Sequence, residues 1–207
     1  MASRSFTRAE LESFRDAEVP DLLPGPGDPP VRLLFVGINP GLWTAATQTH
    51  FAHPGNRFYP ALLQAGIIER RIDPTGMDDE DRAHLRSRGI GITNLVRRAT
   101  ARADELTRAE QQAGAVELQR TVEQVAPRVV AMAGITAYRI AFGRPKAVAG
   151  RQPEEIGRVA EWWVVPNPSG LNAHETVASL AAAYAEPARA AGILLLTPGS
   201  AGPCRAR

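Results

Sequence analysis

Cysteine is nearly missing from this chain of 207 residues: one occurs, Cys204, close to the C-terminus. A lone cysteine excludes a disulfide framework, a zinc ribbon and a cysteine-held iron–sulfur cluster, and it points to a reducing compartment. Lysine is equally scarce, with Lys146 the only one among 24 basic residues. The positive charge is therefore carried by arginine, which suits bidentate phosphate contacts and admits DNA binding. An arginine bias is equally a compositional habit of a genome, and a formal net charge of +2 decides nothing alone. No apolar run reaches the length of a membrane span, and MASRSFTRAE has no signal-peptide core, so the expectation is a soluble cytoplasmic protein. There is no glycine-rich phosphate loop. The run Asp78, Asp79, Glu80, Asp81 is consecutive, cannot converge on one ion, and reads as a solvated surface. Neither a metal nor a cofactor is expected.

What is present is a regular alternation. VRLLFV, GIGITNLV, RVVAMAG and EWWVVP (starting at Val31, Gly89, Arg128 and Glu161) are short apolar runs of strand character, separated by stretches of helical periodicity. Thr7 and Glu10, and again Thr107 and Glu110, stand at capping-box spacing ahead of helices expected over Thr7–Arg15 and Thr107–Val125. Shorter helices are expected over Phe58–Gly66 and Ile135–Phe142. A last one is expected to be capped by Asn172 and Glu175 and to run to about Ala185, where Pro187 interrupts it. Residues 69–88 read as an exposed connection with one helical turn, and residues 143–157 as a polar loop. This order predicts one α/β domain in three α/β/α layers, with a mostly parallel sheet of four to five strands. Residues 1–30 read as a helix and a Pro-rich connector, 31–192 as the domain and 193–207 as a tail.

Two loops stand at carboxyl ends of strands, where open α/β sheets bind ligands: GINPG at 37–41 and NPSGLN at 167–172. Each sets an asparagine beside proline and glycine, so the backbone can turn sharply and approach a ligand. Asn94 reaches the same edge from the second strand. Three amides and few acids suit a neutral, hydrogen-bonding ligand such as a nucleobase. An asparagine carbonyl can hold a water, and its NH₂ can donate to a substrate oxygen. From GINPG alone, Asn39 is as readily a turn residue as a catalytic one. Phe51 reads as ligand-facing or core, and Leu171 as exposed or as a helix-entry staple. His50 and His53 read as hydrogen-bonded loop histidines or as a metal pair without a third ligand. Of Trp162 and Trp163, adjacent on a strand, at least one faces the core.

Taken together, GINPG, then HFAHPGNRFY, GITNLV and PNPSGLN in this order resemble the G/U and G/T mismatch-specific DNA glycosylases of the uracil-DNA glycosylase superfamily, over roughly residues 22–184. The resemblance implies a monomeric enzyme of base excision repair, cytoplasmic and nucleoid-associated as in bacteria. It would flip uracil, thymine or a modified pyrimidine out of duplex DNA mispaired with guanine and hydrolyse its N-glycosidic bond. It implies that Asn39 positions the hydrolytic water and that Phe51 stacks on the flipped base. Ile38, Gly41, Thr44, Asn94 and Asn167 would line the base pocket. Ser169, Gly170, Leu171 and Asn172 would form the wedge that enters the duplex. Lys146 lies outside these motifs, which implies base removal without strand cleavage. Two departures bear on substrate choice. Ala173 and His174 stand where many relatives carry an arginine, and Thr44 stands where relatives have serine or alanine, which disfavours thymine. A non-catalytic protein binding mismatched or single-stranded DNA is the competing reading.

Overall fold

The computed structural model describes residues 5–73, 75–153 and 160–196. Five strands form one sheet in the order β2-β1-β3-β5-β4: β1 is Leu33–Gly37, β2 Ile90–Asn94, β3 Val129–Ala133, β4 Gly150–Arg151 and β5 Glu161–Val165. The first four in that order run parallel, and β4 pairs antiparallel at the edge. The four long strands are the four apolar runs of the sequence. Strand β4, two residues inside the expected loop of residues 143–157, is too short to leave a pattern; residues 154–157 of that loop lie outside the described residues.

Because side chains alternate across a strand, each run divides between two cores. Leu33, Phe35, Ile92, Val129 and Ala131 face helices α3 (Phe58–Gln64), α4 (Asp79–Ser87) and α7 (Val177–Ala190). Leu34, Val36, Val130, Met132 and Val164 face α5 (Arg108–Val125) and α6 (Ile135–Ala141). The adjacent tryptophans obey the same rule, Trp162 entering the α5/α6 core and Trp163 packing on the other. Phe35, Phe58 and Tyr184 meet ring to ring at 5.1–5.9 Å and knit α3 and α7 to β1. The result is the three-layer architecture expected.

The chain leaves β1, crosses the α3 face to β2, then returns through α5 on the opposite face to β3 on the other side of β1. The strand order therefore reverses beside β1. Loops that leave β1 and β3 diverge to opposite faces and open a crevice at the carboxyl edge.

Four local readings need correction. The stretch 69–88 contains a nine-residue helix, α4, because Asp78 is its N-cap and Asp81 completes a capping box, with Asp79 and Glu80 in the first turn. The acidic run is thus helix-start chemistry. The stretch from GINPG to Asn56, expected to be loop, contains a further helix, α2 (Leu42–Thr47), opened by Gly41 without a side-chain cap. Helix α7 is capped by Thr176 and Ser179, not Asn172 and Glu175, and it runs through Pro187 to Ala190. Pro187 is tolerated three residues from the helix end, buried on the core side. Finally, the Pro-rich connector covers an edge: Leu22 exchanges both backbone hydrogen bonds with Ile92, at 2.8 and 2.9 Å, beside strand β2. Of the tail expected over residues 193–207, residues 193–196 pack on the domain, with Ile193 buried and the Leu196 N–H donating to the Gly66 carbonyl at 2.9 Å, and residues 197–207, with Cys204, lie outside the described residues.

Helix α5 comes unusually close to the chain just after β2. A Cβ added to Gly114 would collide with the Leu95 carbonyl oxygen. Alanine normally favours a helix over glycine by about 1 kcal/mol, but overpacking of this kind costs about 1–3 kcal/mol. Gly114→Ala is therefore expected to lower the melting temperature, and a rise would show that the helix can move away.

Candidate active site

The site is built where Gly37 ends β1. Its register partner Asn94 ends β2, and a Cβ on Gly37 would lie 2.5 Å from Asn94 Oδ1 and 3.5 Å from the Phe51 ring. Only glycine at 37 lets an amide and an aromatic ring converge over the strand end.

Asn39, two residues on, is oriented by its surroundings. Its Nδ2 donates to Thr100 Oγ1 at 2.7 Å, to the Arg98 carbonyl at 3.0 Å and, more weakly, to the Pro40 carbonyl at 3.2 Å. Carbonyl oxygens only accept, so the nitrogen must be the atom facing them. Oδ1 then points away with no donor among the described residues, and Asn39 lines the cavity described below. The segment that receives the amide is itself braced. Arg98 bridges Asp16 at 2.8 Å and Glu110 at 2.8 Å, and Thr100 passes its own proton to the Arg102 carbonyl at 2.8 Å.

Asn94 is held differently. Its Nδ2 lies 3.3 Å from His50 Nδ1, while His50 Nε2 lies 2.9 Å from the Pro20 carbonyl. Both ring nitrogens of His50 are thereby engaged. His53 accepts from the Gly55 N–H through Nδ1 at 3.0 Å, so these histidines are the hydrogen-bonded loop residues of the first reading. Burial pushes the His50 pKa below its ordinary 6.5, with the Pro20 carbonyl and Asp21 pulling it up and Arg82 pushing it down. A folded-state pKa below the unfolded value means that the unfolded chain binds the proton more readily. The stabilising contribution is then present above pH 6.5 and is lost progressively as pH falls below it through the lowered folded-state value. His53 and His84, also lowered by burial, add to the slope. Thermal melts are expected to drop steadily between about pH 7.5 and pH 5.5, less steeply in His50→Leu; a flat profile would contradict the buried neutral imidazole.

Phe51 carries a positive φ of 55°, strain that a non-glycine residue holds only where its surroundings impose it. Its ring stacks on Phe58 at 4.0 Å with 23° between planes. It is half-buried: one face joins the core and the ring borders the cavity. The main-chain N–H groups of Ile38 and Phe51 donate to no acceptor among the described residues.

On the far side, Asn167 uses Oδ1 to accept from the Ser169 N–H at 3.0 Å, and its Nδ2 has no acceptor among the described residues. Gly134, at φ 113°, leaves room for Ile38 at 3.2 Å and Asn167 Nδ2 at 3.9 Å from the Cβ it lacks. The turn 167–172 is then stapled to the HPGNRF segment. Arg57 donates to the carbonyls of Ser169 at 2.6 Å, Asn172 at 2.7 Å and Glu175, its N–H donates to the Pro168 carbonyl at 3.0 Å, and a Cβ on Gly170 would lie 2.7 Å from the Gly55 carbonyl. Leu171 stands out from this rigid turn, 87% exposed, and is no helix staple.

These elements enclose one open cavity of about 1080 Å³, bordered by Ile38, Asn39, Gly41, Thr44, Phe51, Asn94, Asn167, Ser169, Gly170 and Leu171. Of the residues expected at the site, only Asn172 is outside its lining. Asn172 instead closes the turn by donating from Nδ2 to the Asn167 carbonyl at 3.1 Å. The acids on the lining, Glu12 and Glu105, lie at the outer end and both bind Arg15. The inner end offers amides, an aromatic face and main-chain donors. Asn39 presents an acceptor, Asn167 a donor and Asn94 one of each.

The family model for the uracil DNA glycosylase superfamily matches residues 24–187. The chain belongs to that superfamily. Superfamily members are DNA glycosylases, hydrolases that act on DNA. No helix among the described residues is long and apolar enough to cross a membrane. Sequence reasoning missed four supporting residues of this glycosylase: Arg57, Arg98, Thr100 and the full part of His50. Arg57 was in plain view in HPGNRF, but its acceptors are backbone carbonyls more than a hundred residues away. Such a bond leaves no mark on residue types.

Proposed function

We propose that this protein is a monofunctional glycosylase that removes uracil mispaired with guanine in duplex DNA and leaves an abasic site. The observation that carries the reading is Asn39: its NH₂ is spent on the loop 98–100, so its Oδ1 is left as a lone acceptor inside a cavity otherwise suited to a flat base. In the proposed reaction the C1′–N1 bond breaks with its electron pair going to uracil N1. An oxocarbenium-like sugar forms, and the anion is met by main-chain N–H donors at Ile38 and Phe51 and by the Asn94 amide. A water accepted by Asn39 Oδ1 bonds to C1′, and the proton it sheds neutralises the uracil through solvent. No strong base is needed, since the leaving group departs largely unaided.

The preference for a mispair in duplex DNA is supported by Leu171, an exposed apolar side chain on a stapled turn at the cavity's edge. A wedge there offsets an unstacking cost of a few kcal/mol, which is lower where the base is mispaired. Thr44, buried on the lining with its hydroxyl accepting from the Ala52 N–H at 3.2 Å, favours uracil over thymine by bulk. Lys146 is exposed and off the lining, in keeping with hydrolysis rather than a Schiff base.

The test is base release from duplexes carrying uracil, thymine, hypoxanthine or ethenocytosine opposite guanine, scored under single turnover for wild type and Asn39→Ala. Uracil is expected to leave fastest, with no strand breaks until base or heat is added. Absence of release from every duplex, with DNA binding intact, would favour a non-catalytic binder.

A further inference from the structure

His50 fixes more than its own loop. We infer that His50 sets the direction of the Asn94 amide and thereby makes the pocket accept uracil and refuse cytosine; this rests on the proposed reading of the cavity as a base pocket.

The argument begins at the Pro20 carbonyl, 2.9 Å from His50 Nε2. A carbonyl oxygen only accepts, so Nε2 carries the ring proton, and a neutral imidazole has one such proton. Nδ1 is therefore a bare lone pair. The Asn94 side-chain atom 3.3 Å away must be its NH₂, because the flipped amide would set Oδ1 against another acceptor. Desolvation of a ring only 4% exposed favours this neutral form; Asp21 opposes that preference and Arg82 reinforces it.

The backbone around the ring is pinned by α3, by α4 and by the segment that leads into α4. Tyr59 on α3 donates its hydroxyl to the His50 carbonyl at 2.7 Å. Thr49 Oγ1 accepts from the Met77 N–H at 2.9 Å, and Arg82 on α4 donates to the Gln48 carbonyl at 3.2 Å. These bonds fix the backbone that carries the histidine, and the ring itself is held between the Pro20 carbonyl and the Asn94 amide.

With one N–H committed to His50, Asn94 has two groups left: Oδ1, which lies over Gly37 beside Phe51, and the second N–H. An acceptor next to a donor matches the N3–H and C4=O edge of uracil. Cytosine presents the opposite order, an N3 lone pair and an amino group, so each contact would place like against like. A site built on such hydrogen bonds rejects the mismatched analogue by about 10⁴–10⁵, because its own polar groups are left unpaired. Cytosine is the base from which uracil must be told apart in DNA, and a side-chain amide free to rotate would not distinguish them.

Two experiments test this. In the wild-type protein, NMR of ¹⁵N-labelled histidine is expected to show His50 protonated at Nε2 and bare at Nδ1; a proton on Nδ1 would overturn the inference, and this reading needs neither a variant nor activity. In His50→Leu, checked for folding by its heteronuclear spectrum, uracil release is expected to fall at least about tenfold and cytosine release from a G/C duplex to rise at least about tenfold over wild type. His50→Asn, which can keep an acceptor near the Nδ1 position, is expected to retain the wild-type preference more closely. A folded His50→Leu protein that loses uracil release without any gain on cytosine overturns the proposal, since a purely structural role would depress both. Wild-type protein that shows the expected tautomer but releases no uracil would instead count against the glycosylase reading.

Discussion

Replacing Asn39 by alanine is expected to slow uracil release from a G/U duplex by about 10²–10³-fold, the usual cost of deleting one oriented polar group that acts in the transition state. The loss must be separated from damage to the loop. The Asn39 amide ties β1 to residues 98–100 through bonds of 2.7 and 3.0 Å, each worth about 1 kcal/mol net. Alanine should therefore also lower the melting temperature by several degrees, at about 2–4 °C per kcal/mol for a chain of this size. Asn39→Asp divides the two effects. A carboxylate still offers an acceptor to water, but its second oxygen would face the Arg98 and Pro40 carbonyls, with Thr100 the only group able to turn a proton toward it. The aspartate variant is thus expected to melt lower than the alanine variant and yet release uracil faster. Single-turnover rates and melts on the three proteins check this. If activity simply follows stability, Asn39 is a structural residue and its free Oδ1 has no catalytic task.

How much of this could be read from the sequence depended on whether a feature was periodic or relational. The four long strands were legible because their side chains are mostly buried on both faces, so that each reads as a largely apolar run. The capping boxes at Thr7 and Thr107 were legible because they are confined to four residues and use side chains that announce themselves. Helix α4 was missed because its capping box is made of aspartates inside a run of acids, where charge masked geometry. Its packing role is also invisible locally: Arg82 and Met77 hold the chain around Gln48 and Thr49, and through it His50. Helix α2 was missed because glycine is a silent N-cap and Leu42–Thr47 is too short for a helical stripe to show. At the site, the three asparagines could be named from motif and position. Which atom of each amide faces the cavity could not, because that is decided by Pro20, Arg98 and Thr100, and by the Ser169 N–H, all brought in by the fold.

Arg57→Ala should cost the enzyme its wedge while sparing its chemistry. The guanidinium gathers the carbonyls of Ser169, Asn172 and Glu175 into one fork, and Gly170 lies against Gly55 in the same place. Hydrogen bonds from a charged donor contribute about 1.5–3 kcal/mol each, so removal both destabilises the fold and frees the turn that carries Leu171. Lysine cannot restore it, since one ammonium cannot span three carbonyls set for a planar fork. None of these atoms touches the reacting bond in the proposed mechanism. The expected result is a fall in uracil release of about 10–100-fold on a G/U duplex, corresponding to about 1–3 kcal/mol of unstacking no longer offset. Little change is expected on uracil placed opposite an abasic analogue, where that cost is largely absent. Leu171→Ala should show the same contrast between substrates. If Arg57 acts through Leu171, the double variant should be no slower on G/U than the slower single one, a coupling that independent effects would not produce. Equal losses on both substrates would mean that Arg57 supports the pocket as a whole, and the exposed Leu171 would then need another explanation.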